Sequence, residues 1–477
     1  MYEEYCIHCR ALTNYTEDIT KQGGYLIVKK RLGLVLLSVL VMAMLTTACS
    51  GSNGNDSGNA TTNKNNNGEV VRLKIWGGTP EENGPKQVVE NWNAQNPNIQ
   101  VEYVRFVNDD AGNTKLDTAL YSGKDVDIFI GYTPTLRNKR IDAGVVEPLD
   151  AYINGDSFDL DKNFGSDNIE VIDDHIYYIP AQKAIDGILI NKTMLDEIGE
   201  PLPSADWTWG DLADLSKKLT TGEGANKRYG FMFDYATTTI SFEQYMAMSE
   251  VGADYYYNAD GSSSFDQSYW KEIYALHQRM QNVDGSVYPY GDVVTAKPSL
   301  AQEFVNEKAA MIFGSFHIRS VKDLENYPHD FVTAVLPIPT LNKDTKSYNG
   351  FGMQDFLSIS KNSQNKDAAW EFIKWYSTEG YSPMVDFGRV PSWKDYDVTK
   401  IVEQTVGENA HLFDIDSMKA FYSGNYNFSF PKNNTARSEL DKLIKEETEQ
   451  LILNDKSIDD TLASLKERAD KLIGERK

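Results

Sequence analysis

Side chains that support covalent or metal-assisted chemistry are few in this sequence, and they do not fall into a known catalytic spacing. The chain has 6 histidines and 3 cysteines, and it lacks His-Glu-x-x-His, Gly-x-Ser-x-Gly and a glycine-rich phosphate loop. Asn258, Asp260 and Gly261 are spaced as in a calcium-binding loop, but Tyr256 replaces the first aspartate and Gln267 replaces the bidentate glutamate. A hairpin turn at Asp260-Gly261 explains this stretch better. We therefore predict no catalytic residue, no metal site and no cofactor.

The elements that must position any site alternate between strands and helices. Apolar and polar residues alternate over 71–75, which predicts a strand. The apolar run 126–130, interrupted only by Asp127, predicts a buried parallel strand. Between them, Pro85 suits the first turn of a helix. This alternation indicates βαβ units, and hence an α/β fold with a mainly parallel sheet.

Two helices are predicted near the C-terminus, over 435–453 and 457–473. Ser457 and Asp460 are spaced as a capping box at the start of the second helix. Charged residues cover the remaining helix faces, where we expect them to contact solvent.

Length and composition exclude several classes of protein. Without its N-terminal segments the chain keeps about 410 residues, which suffice for two lobes with separate cores. No cysteine follows Cys49, so no disulfide stabilises this part of the chain. The formal net charge of −23 argues against binding to nucleic acid and against electrostatic docking on anionic lipid.

The residues before Cys49 have the layout of a secretory signal. The basic run 29–31 precedes 14 mostly apolar residues, 32–45, and small residues then lead to the cysteine. The apolar run is shorter than the roughly 20 residues of a permanent membrane-spanning helix. The ending is similar to a bacterial lipobox, although Leu45 and Thr46 depart from the usual order. We predict that lipid (palmitate among its acyl chains) is attached to Cys49 and anchors the protein to the outer face of the cell membrane. An uncleaved signal anchor is the alternative.

The segments on either side of this signal, which spans 28–48, differ in character. Of the 19 residues over 50–68, 16 are Gly, Ser, Asn or Thr, which predicts a flexible tether over 49–69. Residues 1–27 fit no export signal. We expect them to be an untranslated or disordered extension, with Val28 encoded by a GTG start codon; a genuine extended n-region is the alternative.

Several short motifs, in a consistent order along the chain, resemble those of the carbohydrate-binding solute-binding proteins of bacterial ABC importers, the family that includes maltose-binding protein. Residues 143–150 resemble the family's G-x-L-x-P-L-D, and 304–311 resemble F-x-x-G-K-A-A-M with Glu307 in place of the usual glycine. The other matching stretches are 74–78, 98–101, 120–127, 176–180 with 189–192, and 198–209. Each motif is weak alone, and their order carries the resemblance.

The resemblance implies an α/β fold of the two-lobed, periplasmic-binding-protein-like kind, with a hinge and an interlobe ligand cleft. The chain would cross between the lobes near Pro180, near Pro337 and Pro339, and near 389–393. The proline pair supports the second crossing, because proline does not suit a central strand. The expected N-terminal lobe comprises 70–180 and 340–390, and the expected C-terminal lobe comprises 181–339 and 391–477.

The resemblance also places the ligand in the cleft, where a sugar requires polar groups for its hydroxyls and aromatic rings for its apolar faces. Trp76 and Thr79 follow the first predicted strand, and Tyr132 follows the strand over 126–130. Further candidates lie near the crossings or at positions where the family contacts its ligand: Lys183, Asp186, Phe242, Glu243, Tyr245, Phe316, Phe351, Gly352 and Arg389. Trp76 and Phe316 are the rings most expected to stack on a sugar, whereas Asp127, Trp207 and Trp209 are expected to be structural.

The expected function is to capture a sugar or oligosaccharide and deliver it to the permease of an ABC importer, without enzyme activity. The expected partners are the carbohydrate, the permease subunits and the membrane through lipid on Cys49, but not nucleic acid, and the protein is expected to be a monomer. Two alternatives stay open. A secreted lipoprotein glycoside hydrolase would need two carboxylates placed across a bound sugar, and a related binding protein could carry a non-sugar solute.

Overall fold

The computed structural model describes residues 70–233, 241–343, 348, 352–453 and 456–476, and the structural statements that follow concern these residues. Phe351 and Cys49 lie outside them, as do the predicted signal, tether and N-terminal extension. Among the described helices, none is both long enough and apolar enough to cross a membrane.

The strands of the described residues form two sheets. In chain order they are β1 (Val71–Gly77), β2 (Ile99–Arg105), β3 (Ile128–Gly131), β4 (Ile179–Lys183), β5 (Gly187–Asn191), β6 (Tyr229–Met232), β7 (Ala309–Phe313), β8 (Thr333–Pro337), β9 (Met353–Ile359) and β10 (Val390–Pro391). The first sheet has the order β10-β4-β9-β3-β1-β2, and the second has the order β6-β7-β5-β8.

Helices surround both sheets. In chain order they are α1 (Pro85–Gln95), α2 (Asp110–Ser122), α3 (Pro134–Asp142), α4 (Asp150–Gly155), α5 (Leu160–Phe164), α6 (Lys192–Ile198), α7 (Trp209–Leu219), α8 (Phe242–Val251), α9 (Ser268–Gln278), α10 (Tyr290–Ala296), α11 (Leu300–Val305), α12 (Ile318–Val321), α13 (Lys366–Tyr376), α14 (Ser382–Val385), α15 (Val398–Val406), α16 (Ile415–Ser423), α17 (Arg437–Ile452) and α18 (Ile458–Arg476). Short turns of tighter helix occur at Glu81–Asn83, Ser166–Asn168, Gly224–Asn226, Ser315–His317, Glu379–Tyr381 and Gly407–Leu412, and a wider turn at Arg279–Val283 continues α9.

Strand directions in the first sheet differ from the mainly parallel sheet that the sequence predicts. β1 runs parallel to β2 and to β3, as the βαβ pattern requires. β9 runs antiparallel to β3 and β4, and β10 runs antiparallel to β4. The prediction of a mainly parallel sheet is therefore wrong for this sheet, in which three of the five strand pairs are antiparallel. The physical reason is that β4 and β9 are each joined to a strand of the second sheet, so no crossover helix fixes their direction.

Each sheet has its own core, and we call each sheet with its packed helices a lobe. In the first lobe, Ile75 and Ile128 belong to the same apolar cluster as Phe372 of α13. In the second lobe, Leu189 of β5 and Leu212 of α7 share a cluster that also includes α8, α9, α17 and α18. Most apolar side chains are buried in the core of one lobe or of the other, so the surfaces between the lobes are available for other contacts.

The described chain passes between the lobes three times. The first passage joins β4 to β5 through 184–186, and the second lies between the end of β8 at Pro337 and the start of β9 at Met353. The third follows β10 and leads to α15, whose Val402 belongs to the core of the second lobe. β4 continues to Lys183 within the first sheet, beyond the lobe boundary expected at 180. The exact lobe boundaries stay predictions.

Candidate ligand-binding cleft

One edge of the first sheet gathers the ends of five strands. β1 and β3 are parallel, so their carboxyl ends lie at the same edge, where Thr79 and Tyr132 follow them. β9 is antiparallel to β3 and begins at this edge, directly after Gly352. Lys183 at the end of β4 pairs with Val390 at the start of β10, which places Arg389 there too. The strand register thus brings together residues that are up to 310 positions apart in the chain.

In the second sheet, strand ends also meet at one edge. Asp186 directly precedes β5, and the first residue of β5, Gly187, pairs with Pro337 at the end of β8. β7 is antiparallel to β5 and ends at Phe313 on this edge, so Gly314 and Phe316 follow it there. The two edges belong to different lobes, and the passage 184–186 connects them directly.

A cavity of about 1020 Å³, which we call the large cavity, lies between the lobes. Its first-lobe wall includes Tyr132 and helix α3, and its second-lobe wall includes Tyr245, Tyr255 and Arg437 at the start of α17. Asp186 lines it from the passage between β4 and β5. Its size is at the upper end of the range found for small-molecule sites, and rings and charged groups occur on the second-lobe wall.

A second cavity of about 770 Å³, which we call the small cavity, also lies between the lobes. Thr79 and Arg389 line it from the first lobe, and Arg319 and Lys322 line it from the second. Thr79 and Tyr132 lie close together, because the backbone N–H of Gly78 donates to the Tyr132 hydroxyl at 2.6 Å. The residues around Thr79 and Tyr132 therefore form a wall shared by the two cavities, which lie next to each other.

The Arg389 side chain organises this shared wall. Its Nη1 donates to Asp355 Oδ2 at 3.0 Å and to Gln182 Oε1 at 2.6 Å, and its Nη2 donates to Thr79 Oγ1 at 3.0 Å. The Tyr381 hydroxyl also donates to Asp355 Oδ2, at 2.9 Å. Burial alone would lower the pKa of the Arg389 guanidinium, but the Asp355 carboxylate and the neighbouring tyrosine hydroxyls, Tyr381 first among them, together outweigh burial and hold this pKa above its usual range.

Titration of the groups around the large cavity is governed mainly by burial. Burial raises the pKa of Asp186 to about 6 and the pKa of Tyr132 to about 12. It also raises the pKa of Tyr245, to which the nearby Asp186 charge contributes. The pKa of Lys183 is lowered by burial and by the charge of Lys394. A carboxyl group that titrates near pH 6 makes the hydrogen-bonding character of this wall dependent on pH.

The structure brings six of the residues predicted from the sequence to the two cavities. Those in the large cavity are Tyr132, Asp186, Tyr245 and Gly352, and those in the small cavity are Thr79 and Arg389. Phe316 is 48% exposed at the same edge of the second sheet, with the Arg319 guanidinium 5.7 Å from its ring centroid. The His317 ring also packs against it, with ring centroids 4.2 Å apart, and Phe316 lines neither cavity. The ligand-binding roles of all these residues stay predictions.

Four predicted residues are placed elsewhere. Trp76 packs in a cluster of the first lobe, and its indole N–H donates to the Asp125 carbonyl at 2.7 Å. Phe242 and Glu243 are fully buried in the second lobe. Burial alone would raise the pKa of Glu243, but the adjacent His277 holds it below its usual range. Lys183 reaches the strand edge without lining either cavity.

Sequence reasoning missed several residues that the cleft contains. Asp355 lies inside β9, and nothing in its local pattern indicates that it pairs with Arg389. Arg319 follows Phe316 by one helical turn, a spacing that could have indicated it. Arg437 and Tyr255 form a pair in which the guanidinium lies 5.0 Å from the ring centroid. In the sequence, the run of three tyrosines at 255–257 could have indicated the second-lobe wall of the large cavity.

The cleft offers hydrogen-bond donors, acceptors and aromatic rings, which suit a polar ligand with apolar faces. Within the described residues, no group of three or more His, Cys, Asp or Glu side chains is arranged to hold a metal ion. The arrangement of these groups on walls from two lobes suits contact with one ligand from both sides.

Sequence comparison identifies relatives of this chain. A family profile described as "Bacterial extracellular solute-binding protein" matches residues 77–382. The maltotriose-binding protein of Pyrococcus abyssi (strain GE5 / Orsay) is 24% identical over 295 residues, which cover 61% of this chain and 59% of that protein. The alignment therefore spans less than two thirds of the length of that relative.

Solved structures with the same fold cover most of the chain. A sugar transporter from Rhizobium etli in an open conformation matches with a TM-score of 0.69 and 21% identity, over 84% of this chain and 99% of that one. An ABC substrate-binding protein from Listeria monocytogenes in complex with cycloalternan matches with a TM-score of 0.64 and 18% identity, over 85% and 100%. These matches confirm the predicted two-lobed α/β fold.

Proposed function

Because this chain belongs to the bacterial extracellular solute-binding protein family, we propose that it binds a sugar or oligosaccharide between its lobes and delivers it to the permease of an ABC importer. Relatives described as binding maltotriose and cycloalternan support a carbohydrate ligand. The members of the family and the structural relatives are binding proteins, and we propose binding without chemical conversion here as well.

The observation that carries this proposal is the composition of the large cavity. Its two walls come from different lobes, and Tyr132 on one wall is complemented by Tyr245 on the other, where Tyr255 is almost completely buried. Tyrosine combines an apolar ring with a hydroxyl, so it can contact both the C–H face and the hydroxyl groups of a sugar ring. Asp186 adds a carboxyl group able to accept hydrogen bonds from sugar hydroxyls when it is ionised.

The proposed mechanism is closure of the lobes around the ligand. A ligand that contacts only one wall gains few interactions, whereas one that contacts both walls favours the conformation in which the walls approach each other. The passage at 184–186 acts as part of the hinge in this mechanism. The permease then distinguishes the closed, loaded protein from the open one.

We also propose that the protein is exported and anchored outside the cell by lipid on Cys49, and that it acts as a monomer. The family supports the extracytoplasmic location, while the anchor rests on the sequence around Cys49. A Cys49→Ser variant should move from the membrane fraction to the soluble fraction of fractionated cells. Retention of this variant in membranes would contradict lipid anchoring.

The proposed ligand class can be tested by unfolding the purified protein in the presence of a panel of mono- and oligosaccharides. A bound sugar at 100 times its dissociation constant should add about 2.7 kcal/mol to the free energy of unfolding. Calorimetric titration of the best sugar against Tyr245→Leu should then give roughly tenfold weaker binding, because the ring face is lost.

The matched control is Tyr121→Leu, which changes an exposed tyrosine of α2 and should bind the sugar normally. The proposal fails if no sugar stabilises the protein, or if the two leucine variants bind equally. Release of smaller products from an oligosaccharide would instead indicate a hydrolase.

A further inference from the structure

The two cavities differ in the charges that line them. Five carboxylates and three cationic side chains line the large cavity, whereas three cationic side chains and two carboxylates line the small cavity. An excess of cations is unusual in a chain with a formal net charge of −23. A ligand that spans both cavities would therefore meet acidic groups at one end and basic groups at the other.

The cations of the small cavity are not equally compensated. Arg389 is paired with Asp355, whose side chain is 2% exposed. Asp323 accepts hydrogen bonds from the backbone and side chain of Asn326, at 3.2 and 2.7 Å. Arg319 forms no ion pair with any described carboxylate, and Lys322 donates to the backbone carbonyl of Asp386. Arg319 is therefore the cation with the greatest capacity to bind an additional anion.

The position of Arg319 places its capacity to bind an anion in the cleft. It lies on α12 of the second lobe, and its Cβ is 3.7 Å from where a Cβ at Gly388 would lie, which places it beside Arg389. Burial lowers the pKa of Arg319, and the charge of Arg389 lowers it further. Because the two guanidinium groups repel each other, an anion bound near both would be favoured.

The neighbouring ring adds an apolar surface beside the Arg319 guanidinium. Phe316 is 48% exposed, with the His317 ring packed against it and the Arg319 guanidinium 5.7 Å from its ring centroid. One ligand could therefore contact the exposed part of the Phe316 ring and place an anionic group on Arg319. The planar fork of arginine matches a carboxylate through two parallel hydrogen bonds. A carboxylate attached to a sugar ring, as in a uronic acid, has both features.

We propose that the small cavity binds the carboxylate of a uronic acid residue through Arg319, with the sugar ring of that residue on Phe316. The inference deepens the proposed function and rests on it. The remaining, neutral part of the ligand extends toward Tyr245 and Asp186 in the large cavity. The preferred ligands are therefore uronic acids or oligosaccharides that end in one.

The test compares matched acidic and neutral sugars by calorimetric titration of the purified protein. The pairs are glucuronate with glucose, galacturonate with galactose, and digalacturonate with its neutral disaccharide counterpart. At least one acidic member should bind roughly tenfold tighter than its neutral partner, and added salt should reduce this preference. Glucose 6-phosphate and galactose 6-sulfate test the other anionic groups, and a preference for either over every uronate would overturn the proposal.

Substitutions of Arg319 test whether this residue causes the preference for acidic over neutral sugars. Arg319→Gln should lose the preference for the acidic member, so that the affinity for the acidic sugar falls by a much larger factor than the affinity for its neutral partner, while Arg319→Lys should retain part of the preference. The control, Arg72→Gln, removes an exposed cation of β1 that lines neither cavity and should leave every affinity unchanged. A merely structural role of Arg319 would weaken neutral and acidic sugars alike, and this outcome would overturn the proposal.

The remaining outcomes separate this inference from the proposed function. Tight binding of neutral sugars with no acidic preference would overturn the uronate inference and leave the proposed function in place. Absence of binding for both classes would overturn both. An unchanged acidic preference in Arg319→Gln would show that the carboxylate lies elsewhere, which also overturns the inference.

Discussion

At the scale of single residues, the Arg389 guanidinium connects the elements that form the shared wall of the two cavities. It connects Asp355 of β9, Gln182 of β4 and Thr79 after β1. Asp355 is almost completely buried, so its carboxylate depends on Arg389 for compensation of its charge. The same contact that shapes the site thus contributes to the stability of the first lobe.

Removing this guanidinium should be costly. We predict that Arg389→Ala lowers the free energy of unfolding by about 3 kcal/mol, because it leaves the Asp355 charge buried and unpaired. Arg389→Lys should recover only part of the loss, since an ammonium cannot reproduce the forked contacts. Urea unfolding measures both, with Arg72→Ala as a control on the exposed surface. A loss no larger than that of the control would contradict this role.

Asp186 should make stability depend on pH. Burial raises its pKa in the folded protein to about 6, so between about pH 4 and pH 6 the folded state holds a proton that the unfolded chain releases. This contribution to stability is fully present below about pH 4 and is lost as the pH rises through about 6. In urea unfolding over this range, the stability of the wild type relative to Asp186→Asn should fall with rising pH. Parallel pH profiles for the two proteins would contradict the shift.

Single residues were predictable where a local pattern determines their role. Asp127 was expected to be structural, and its carboxylate accepts from the backbone N–H of Lys74 and from the Ser363 hydroxyl. Trp76 and Glu243 show the limit of such reasoning. Whether a side chain at a strand end or helix start points into the cleft or the core depends on packing between elements distant in sequence, which a local pattern does not encode.

At the scale of elements, the connection into β9 is shaped by one glycine. Gly352 has a φ of +72°, in the region that favours glycine, and a Cβ at this position would overlap the ring of Phe428. Phe428 packs beside Met353 and Phe356 of β9. Phe428 lies between helices α16 and α17 of the second lobe. Its contact with β9 therefore joins this part of the second lobe to the first sheet.

A pair of glycine substitutions separates backbone strain from this contact. Gly144 has a nearly identical φ of +69°, but no neighbouring atom lies within 4 Å of the position that a Cβ would take there. We predict that Gly144→Ala costs about 1 kcal/mol of unfolding free energy, from strain alone. Gly352→Ala should cost clearly more, and the excess should shrink when Phe428 is also changed to alanine. Equal losses at the two glycines in urea unfolding would contradict the contact.

Element positions were largely predictable, but strand pairing was not. Pro85 marks the start of α1, and the Ser457–Asp460 capping contact precedes α18, as expected from local rules. β4 and β9 lie at two of the crossings that the resemblance implies, near Pro180 and after Pro339. Their antiparallel directions follow from the route of the chain through the other lobe, and no local periodicity contains that information.

At the scale of the whole molecule, two cores joined by three passages allow the lobes to move as units. The family resemblance predicted this two-lobed arrangement from ordered motifs, and the structural matches confirm it. The division of the cleft into an acidic and a basic part could not be predicted from the sequence, because the lining residues of each cavity come from distant segments. The two parts of the cleft form only in the folded protein, where both lobes contribute lining residues.

Hydrogen–deuterium exchange with and without the tightest-binding sugar tests the central claim most directly. Two lobes that close on one ligand should both gain protection, in peptides covering 132–142 and 352–354 of the first lobe and 245–255 and 431–441 of the second. A sugar of the panel that does not bind provides the control. Protection on both walls is the predicted result; protection confined to one lobe, or located away from these segments, would contradict an interlobe binding site.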